Sequence, residues 1–147
     1  MSCLLKLLKR SAAGVIAGIL LGICLKSFEL ITGKAVYTLL LNIDYIPLVS
    51  DWELGEGGEF LLHLMVSVVI APVLHYLLSH WHKERETVLY VAGSTVIGAA
   101  YYPVTILSEK TPALLDPAAF LLWISAHVLY GYVLAILLIY QEEKRSE

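Results

Sequence analysis

SAAGVIAGILLGICLKSFELI, residues 11–31, is the stretch on which the fold turns. It is apolar for fifteen residues from Ser11 to Leu25 and meets its first charges only at Lys26 and Glu29. A hydrocarbon core about 30 Å thick is crossed by ~20 helical residues rising 1.5 Å each, so this segment is long enough to span a bilayer. Three more segments of the same kind follow, Phe60–Leu78, Val88–Leu107 and Ala118–Tyr140. The chain has 147 residues, of which 59% are hydrophobic and 16% charged, and its mean hydropathy is +0.76. With the four spans removed, little is left that could fold alone; the longest connection is residues 32–59. The expected fold is all-α: one transmembrane domain over residues 1–147, an integral membrane four-helix bundle with antiparallel up-down topology.

Charge placement orients it. Lys6, Lys9 and Arg10, then Lys83 and Arg85, then Lys144 and Arg145 put seven of the ten basic residues on one side. The other side carries Lys34 and Lys110 with the acids Asp44, Asp51, Glu53, Glu56, Glu59, Glu109 and Asp116. Cytoplasmic loops hold the excess of Lys and Arg, so the expectation is N-in and C-in, with Trp52, Trp81, Tyr90 and Tyr140 near the interfaces. Lys26 and Glu29 stand where a signal-peptide cleavage site needs small neutral residues, so the first span is read as retained. Cys3 and Cys24 have no plausible pairing, and no disulfide is assigned. The net charge of −3 without a basic face gives no reason to expect a nucleic-acid partner.

Lipid tails are as apolar as leucine, so close backbone approach and polar contacts must hold the helices together. Each span has a row for this at four-residue spacing. Gly14, Gly18, Gly22 and Lys26 line the first, and His63, Ser67, Ala71, His75 and Ser79 the second. Ser94 and Gly98 mark the third, and His127, Gly131 and Ala135 the fourth. Pro72 cannot donate to the carbonyl of Val68, so a kink with a freed carbonyl is expected there. Pro103 does the same or ends the third span. Ala35–Leu41 reads as an interfacial or partly re-entrant piece. Gly55-Glu56-Gly57-Gly58 reads as a flexible turn, since it follows no strand and lacks the lysine of a phosphate loop.

Ionisable groups inside a membrane are costly and therefore candidates for function. Lys26 and Glu29, three apart on one helix face, can neutralise each other or hold a solute or proton. His63, His75 and His127 form the second group. His75 lies 15 residues into the second span and His127 nine into the fourth, an offset of about 9 Å between helices running the same way. His63 misses by a similar amount in the other direction. Axial haem ligands must sit at similar depth on opposite faces, so histidines hydrogen-bonded to Ser67, Ser125 or tyrosines are the simpler reading. No cofactor is assigned, and b-type haem is the alternative. Tyr101, Tyr102, Tyr130 and Tyr132 crowd the outer halves of the last two spans and could line a polar pocket. His80 and His82 lack a third ligand, so no metal is assigned either. No triad, paired-carboxylate signature or HExxH motif stands out, so no catalytic residue is assigned and the chain is read as non-enzymatic.

The glycine-rich first helix ending in Lys26 and Glu29, His63 with Ser67, Tyr102-Pro103 before Thr111-Pro112 and Asp116-Pro117, and Ser125 with His127 together resemble the YagU-type family of small bacterial inner-membrane proteins. The resemblance implies a multi-pass protein of the cytoplasmic membrane whose biochemical activity is undefined, in a family whose name is linked with acid tolerance. From residues and resemblance together, the expected function is handling of a small solute, ion or proton, with Lys26, Glu29, His63, His75 and His127 lining a polar interior. The expected partners are membrane lipids and a second copy or another membrane protein. A second reading is an accessory or assembly subunit of a membrane complex, and a third a haem-binding electron carrier.

Overall fold

The computed structural model describes residues 3–43 and 54–143. Its elements are α1 (Cys3–Thr32), α2 (Val36–Leu41), α3 (Gly55–His80), α4 (Thr87–Tyr101), a 3-10 segment (Tyr102–Leu107) and α5 (Pro117–Glu143). All regular structure among the described residues is therefore helical. Four stretches, 4–32, 55–80, 87–107 and 117–141, are long and apolar enough to cross a membrane.

Two boundaries differ from the sequence reading, and both matter for the site. Helix α1 starts at Cys3 because Leu4, Leu5, Leu7 and Leu8 with the intervening lysines are strong helix formers. Helix α3 starts at Gly55, so Gly55–Gly58 is its first turn and not a flexible connection. Glu56 favours this start, because a carboxylate near a helix N-terminus meets the positive end of the dipole. The short apolar piece forms α2, with Val36 and Leu39 fully buried against α1, α3 and α5. Asp44, Asp51, Trp52 and Glu53 of the acidic loop, and Lys144 and Arg145, lie outside the described residues.

The prolines act as their chemistry requires. Helix α3 runs through Pro72, and the Val68 carbonyl left without its amide accepts a bond from Ser11 Oγ of α1 at 3.2 Å. Pro103 ends α4 and passes the chain into the 3-10 segment. Asp116 then caps α5, its Oδ1 accepting the amides of Ala118 and Ala119 at 3.1 Å each, with Pro117 as first helical residue.

Small residues set the packing. Gly14 lies on the Ser67 carbonyl and Ala71, Gly18 on the Ser67 side chain, and Gly22 on the Phe60 ring, so α1 and α3 run antiparallel. In the same way Gly98 lies under the His127 ring and Gly131 against Val91 and the Tyr90 carbonyl, so α4 and α5 run antiparallel. A side-chain carbon at Gly131 would come within 2.7 Å of Val91 Cα. Helix α1 also packs on α5, and Trp123, Tyr90, Leu25, Leu39 and Leu134 are fully buried at the centre. The outer surface stays apolar, with Ile23, Val69, Val96, Leu121 and Ile136 exposed. That is how helices meant for a lipid surround are built.

Candidate functional site

Helices α3 and α4 meet only near the tight connection that joins them. There Leu74 packs on Gly93, and His75 Nδ1 lies 2.7 Å from the Tyr90 hydroxyl. The hydroxyl donates to the Glu84 carbonyl at 3.1 Å, which leaves its oxygen to accept from His75 Nδ1–H. Towards the far end the two helices part, and a cavity of about 360 Å³ opens between them, backed by α5 and α2. The volume is that of a small-molecule site.

Its walls are mostly aliphatic, from Leu21, Leu62, Ile70 and Ile97, with Trp123 and Tyr101 stacked at one end. Into this surround project a few polar groups. Trp123 donates its indole N–H to the Gly98 carbonyl at 2.8 Å, and His127 Nδ1–H donates to the Trp123 carbonyl at 2.9 Å. Ser67 donates to the Gly14 carbonyl at 2.7 Å, so Tyr130 donates to Ser67, at 2.9 Å. Among the lining atoms, His63 Nε2 and Ser94 Oγ are shielded from solvent and have no hydrogen-bond partner among the described residues. Ser94 is 1% exposed. A buried hydroxyl without a partner forfeits about 1–3 kcal/mol, so it asks for an occupant that can bond it.

Beside this cavity lies a polar vestibule of about 320 Å³, in which α1, α2 and the start of α3 meet. Lys26 does not pair with Glu29. It forms an ion pair with Glu56, which also accepts from Tyr37 at 3.1 Å. Glu29 instead takes the first amides of α2, Tyr37 N at 2.7 Å and Thr38 N at 2.8 Å, and the Thr38 hydroxyl at 2.8 Å. Those amides have no partner within the helix, and the Glu29 carboxylate in the last turn of α1 accepts them. Burial, then the hydrogen bond and charge of Glu56 and the charges of Glu29 and Glu59, push the Tyr37 hydroxyl up to about 12. Nearby, Lys34 holds Asp116 at 2.6 Å and, with the two α5 amides, keeps that carboxyl below its usual range.

The five candidates from the sequence thus fall into three places. His63 and His127 line the cavity, Lys26 and Glu29 the vestibule, and His75 the α3–α4 seam. Of the five candidates expected in one polar interior, His75 is the one that lines neither the cavity nor the vestibule. The cause is the boundary of α3. Counted from Gly55, His63 lies eight residues in and His75 twenty, while His127 lies ten into α5. His63 is then level with His127, and His75 is about 15 Å away along the axis. The pair His75 and His127 does not share a site, so the haem ligation considered for it does not fit. His80 is exposed and packs edge-on to Trp81. Among the described residues no group of three histidines, cysteines or carboxylates could hold a metal ion. Tyr132 is exposed, whereas Tyr101 and Tyr130 line the cavity. Trp123, Asn42 and Glu59 also line these spaces and do not stand out in the sequence as site residues. A tryptophan inside a span, whose N–H needs a buried acceptor, is the signal for the first.

No protein-family model, no curated protein and no solved structure matches this chain.

Proposed function

We propose that this chain is a non-enzymatic, multi-pass membrane protein, with both termini cytoplasmic, that binds a small lipid-phase molecule in the cavity between α3, α4 and α5. The observation that carries this is Ser94. A hydroxyl 1% exposed and without a partner faces an aliphatic cavity of about 360 Å³. An occupant with an oxygen or nitrogen on an otherwise apolar body satisfies that hydroxyl and fills the space. The distribution of lysine and arginine supports the orientation, and the resemblance to YagU-type proteins supports a bacterial cytoplasmic membrane. Solute handling is thereby narrowed. A proton path through all five ionisable candidates has less support, because His75 lies at the α3–α4 seam and lines neither the cavity nor the vestibule.

Trp123 in the cavity wall is a built-in reporter. In a Trp52→Phe/Trp81→Phe background, a brominated long-chain alcohol should quench Trp123 saturably. Ser94→Ala should weaken binding about fivefold, the equivalent of one hydrogen bond of ~1 kcal/mol, with the melting temperature unchanged or raised. Quenching that rises linearly with alcohol in the folded protein, as simple partitioning gives, would overturn the reading.

A further inference from the structure

The cavity and the vestibule are not separate. Leu41, Asn42 and Glu59 line both, so an apolar slot runs directly into a charged mouth. On α3 the slot extends from Glu59 to Ile70, eleven residues or about 16 Å. Its walls over that length are mostly aliphatic, which suits a hydrocarbon chain. Because α3 and α4 part beyond Gly93, the slot also has a sideways rim, where Met65, Val66 and Ile97 are exposed. A lipid can therefore leave a second chain in the bilayer while one chain enters.

The mouth chooses the head. Among its charged residues are Glu29, Glu56 and Glu59 against Lys26 and Lys110. Lys26 is engaged by Glu56, and Glu29 by the start of α2. Glu59, at the junction, has no cation paired with it among the described residues. One turn deeper, the His63 ring donates to the Gly18 carbonyl, which leaves its shielded Nε2 as an acceptor without a partner among the described residues. We infer that the occupant is a bilayer lipid with an ammonium-bearing head, one acyl chain in the slot and its ammonium at Glu59. This rests on the cavity reading above.

The same Trp123 reporter separates the two. The probes are lysophosphatidylethanolamine with a brominated chain, its N-acetylated form, and lysophosphatidylglycerol with the same chain. The expected result is saturable quenching by the first, at least tenfold weaker binding of the other two, and a gap narrowed to under threefold in Glu59→Gln. Equal binding of all three heads to the unaltered protein overturns the head assignment and leaves the cavity reading standing. So does a tenfold preference that survives Glu59→Gln. Absence of saturable quenching by any chain removes both. The N-acetylated probe changes only the ligand, so the test holds even if Glu59→Gln misfolds.

Discussion

The two ends of the α3–α4 seam are built from different forces. Near the connection, the Leu74 side chain packs on Gly93, the buried His75–Tyr90 bond joins α3 to α4, and Gly131 of α5 lies against the α4 backbone at Val91 and Tyr90. At the far end α3 and α4 stand apart, and the elements around the gap are held by the half-exposed pairs Lys26–Glu56 and Lys34–Asp116. Close packing is insensitive to salt and pH, whereas partly exposed ion pairs are screened and titrate. The molecule thus has a rigid closed end and a charge-held open end. The candidate site lies at the open one, where movement costs less.

The strongest test of the closed end is Gly131→Leu. A side chain there meets backbone atoms of Val91 and Tyr90, which cannot move aside without parting α4 from α5. A loss of about 3 kcal/mol or more is expected, read as a large fall in melting temperature in detergent. The contrasting change at the open rim, Ile97→Val, should cost under ~1 kcal/mol, because a half-exposed residue beside a cavity loses few contacts. Similar effects at both positions would erase the distinction between the ends.

Next in size is the buried bond. Tyr90→Phe leaves His75 Nδ1 and the Glu84 carbonyl without the hydroxyl, which should cost about 1–3 kcal/mol. His75→Leu should cost a similar amount, and the double variant should cost clearly less than the sum. Additive losses would mean that the two groups do not act as a unit.

A smaller effect links α1 to α3. Ser11→Ala removes the donor to the Val68 carbonyl and should cost about 0.5–1.5 kcal/mol. With Pro72→Ala, the helix regains its own amide at that carbonyl, so Ser11→Ala should become nearly neutral. An unchanged cost in the Pro72→Ala background would show that Ser11 works in some other way.

That pair also shows how far a sequence can be read. Pro72 announces an unbonded carbonyl at Val68, because ring chemistry is local. It does not announce Ser11, 57 residues away, because the donor depends on which helices touch. The same divide runs through the site. Gly14, Gly18, Gly98 and Gly131 were legible as contact points, since a missing side chain at helical spacing means close approach. The partner of Lys26 was not. Glu29 at three residues is the obvious choice, but α2 competes for it with two amides and a hydroxyl. Depth failed for a simpler reason. Four residues rich in glycine looked like a turn, and that one boundary put His63 at the wrong height. The split between a closed and an open end is a matter of tertiary packing and leaves no local trace.

The smallest effect lies at the open end. Asp116 is held below its usual carboxyl range by Lys34 first and by the Ala119 and Ala118 amides with it. A carboxyl whose folded value is depressed binds its proton less readily in the folded protein than in the unfolded one. Its stabilisation is present above the unfolded value of about 3.9 and is lost as pH falls through the folded one. The melting temperature should then be flat from neutral pH to about 5 and decline below about 4. Asp116→Asn should shrink that decline while keeping α5 capped, because asparagine also accepts the helix amides. Moderate salt should lower the melting temperature of the unaltered protein slightly at neutral pH and leave that of Asp116→Asn less affected. An acid decline identical in the two proteins would mean that this end is held by packing as well, and the contrast between the ends would be lost.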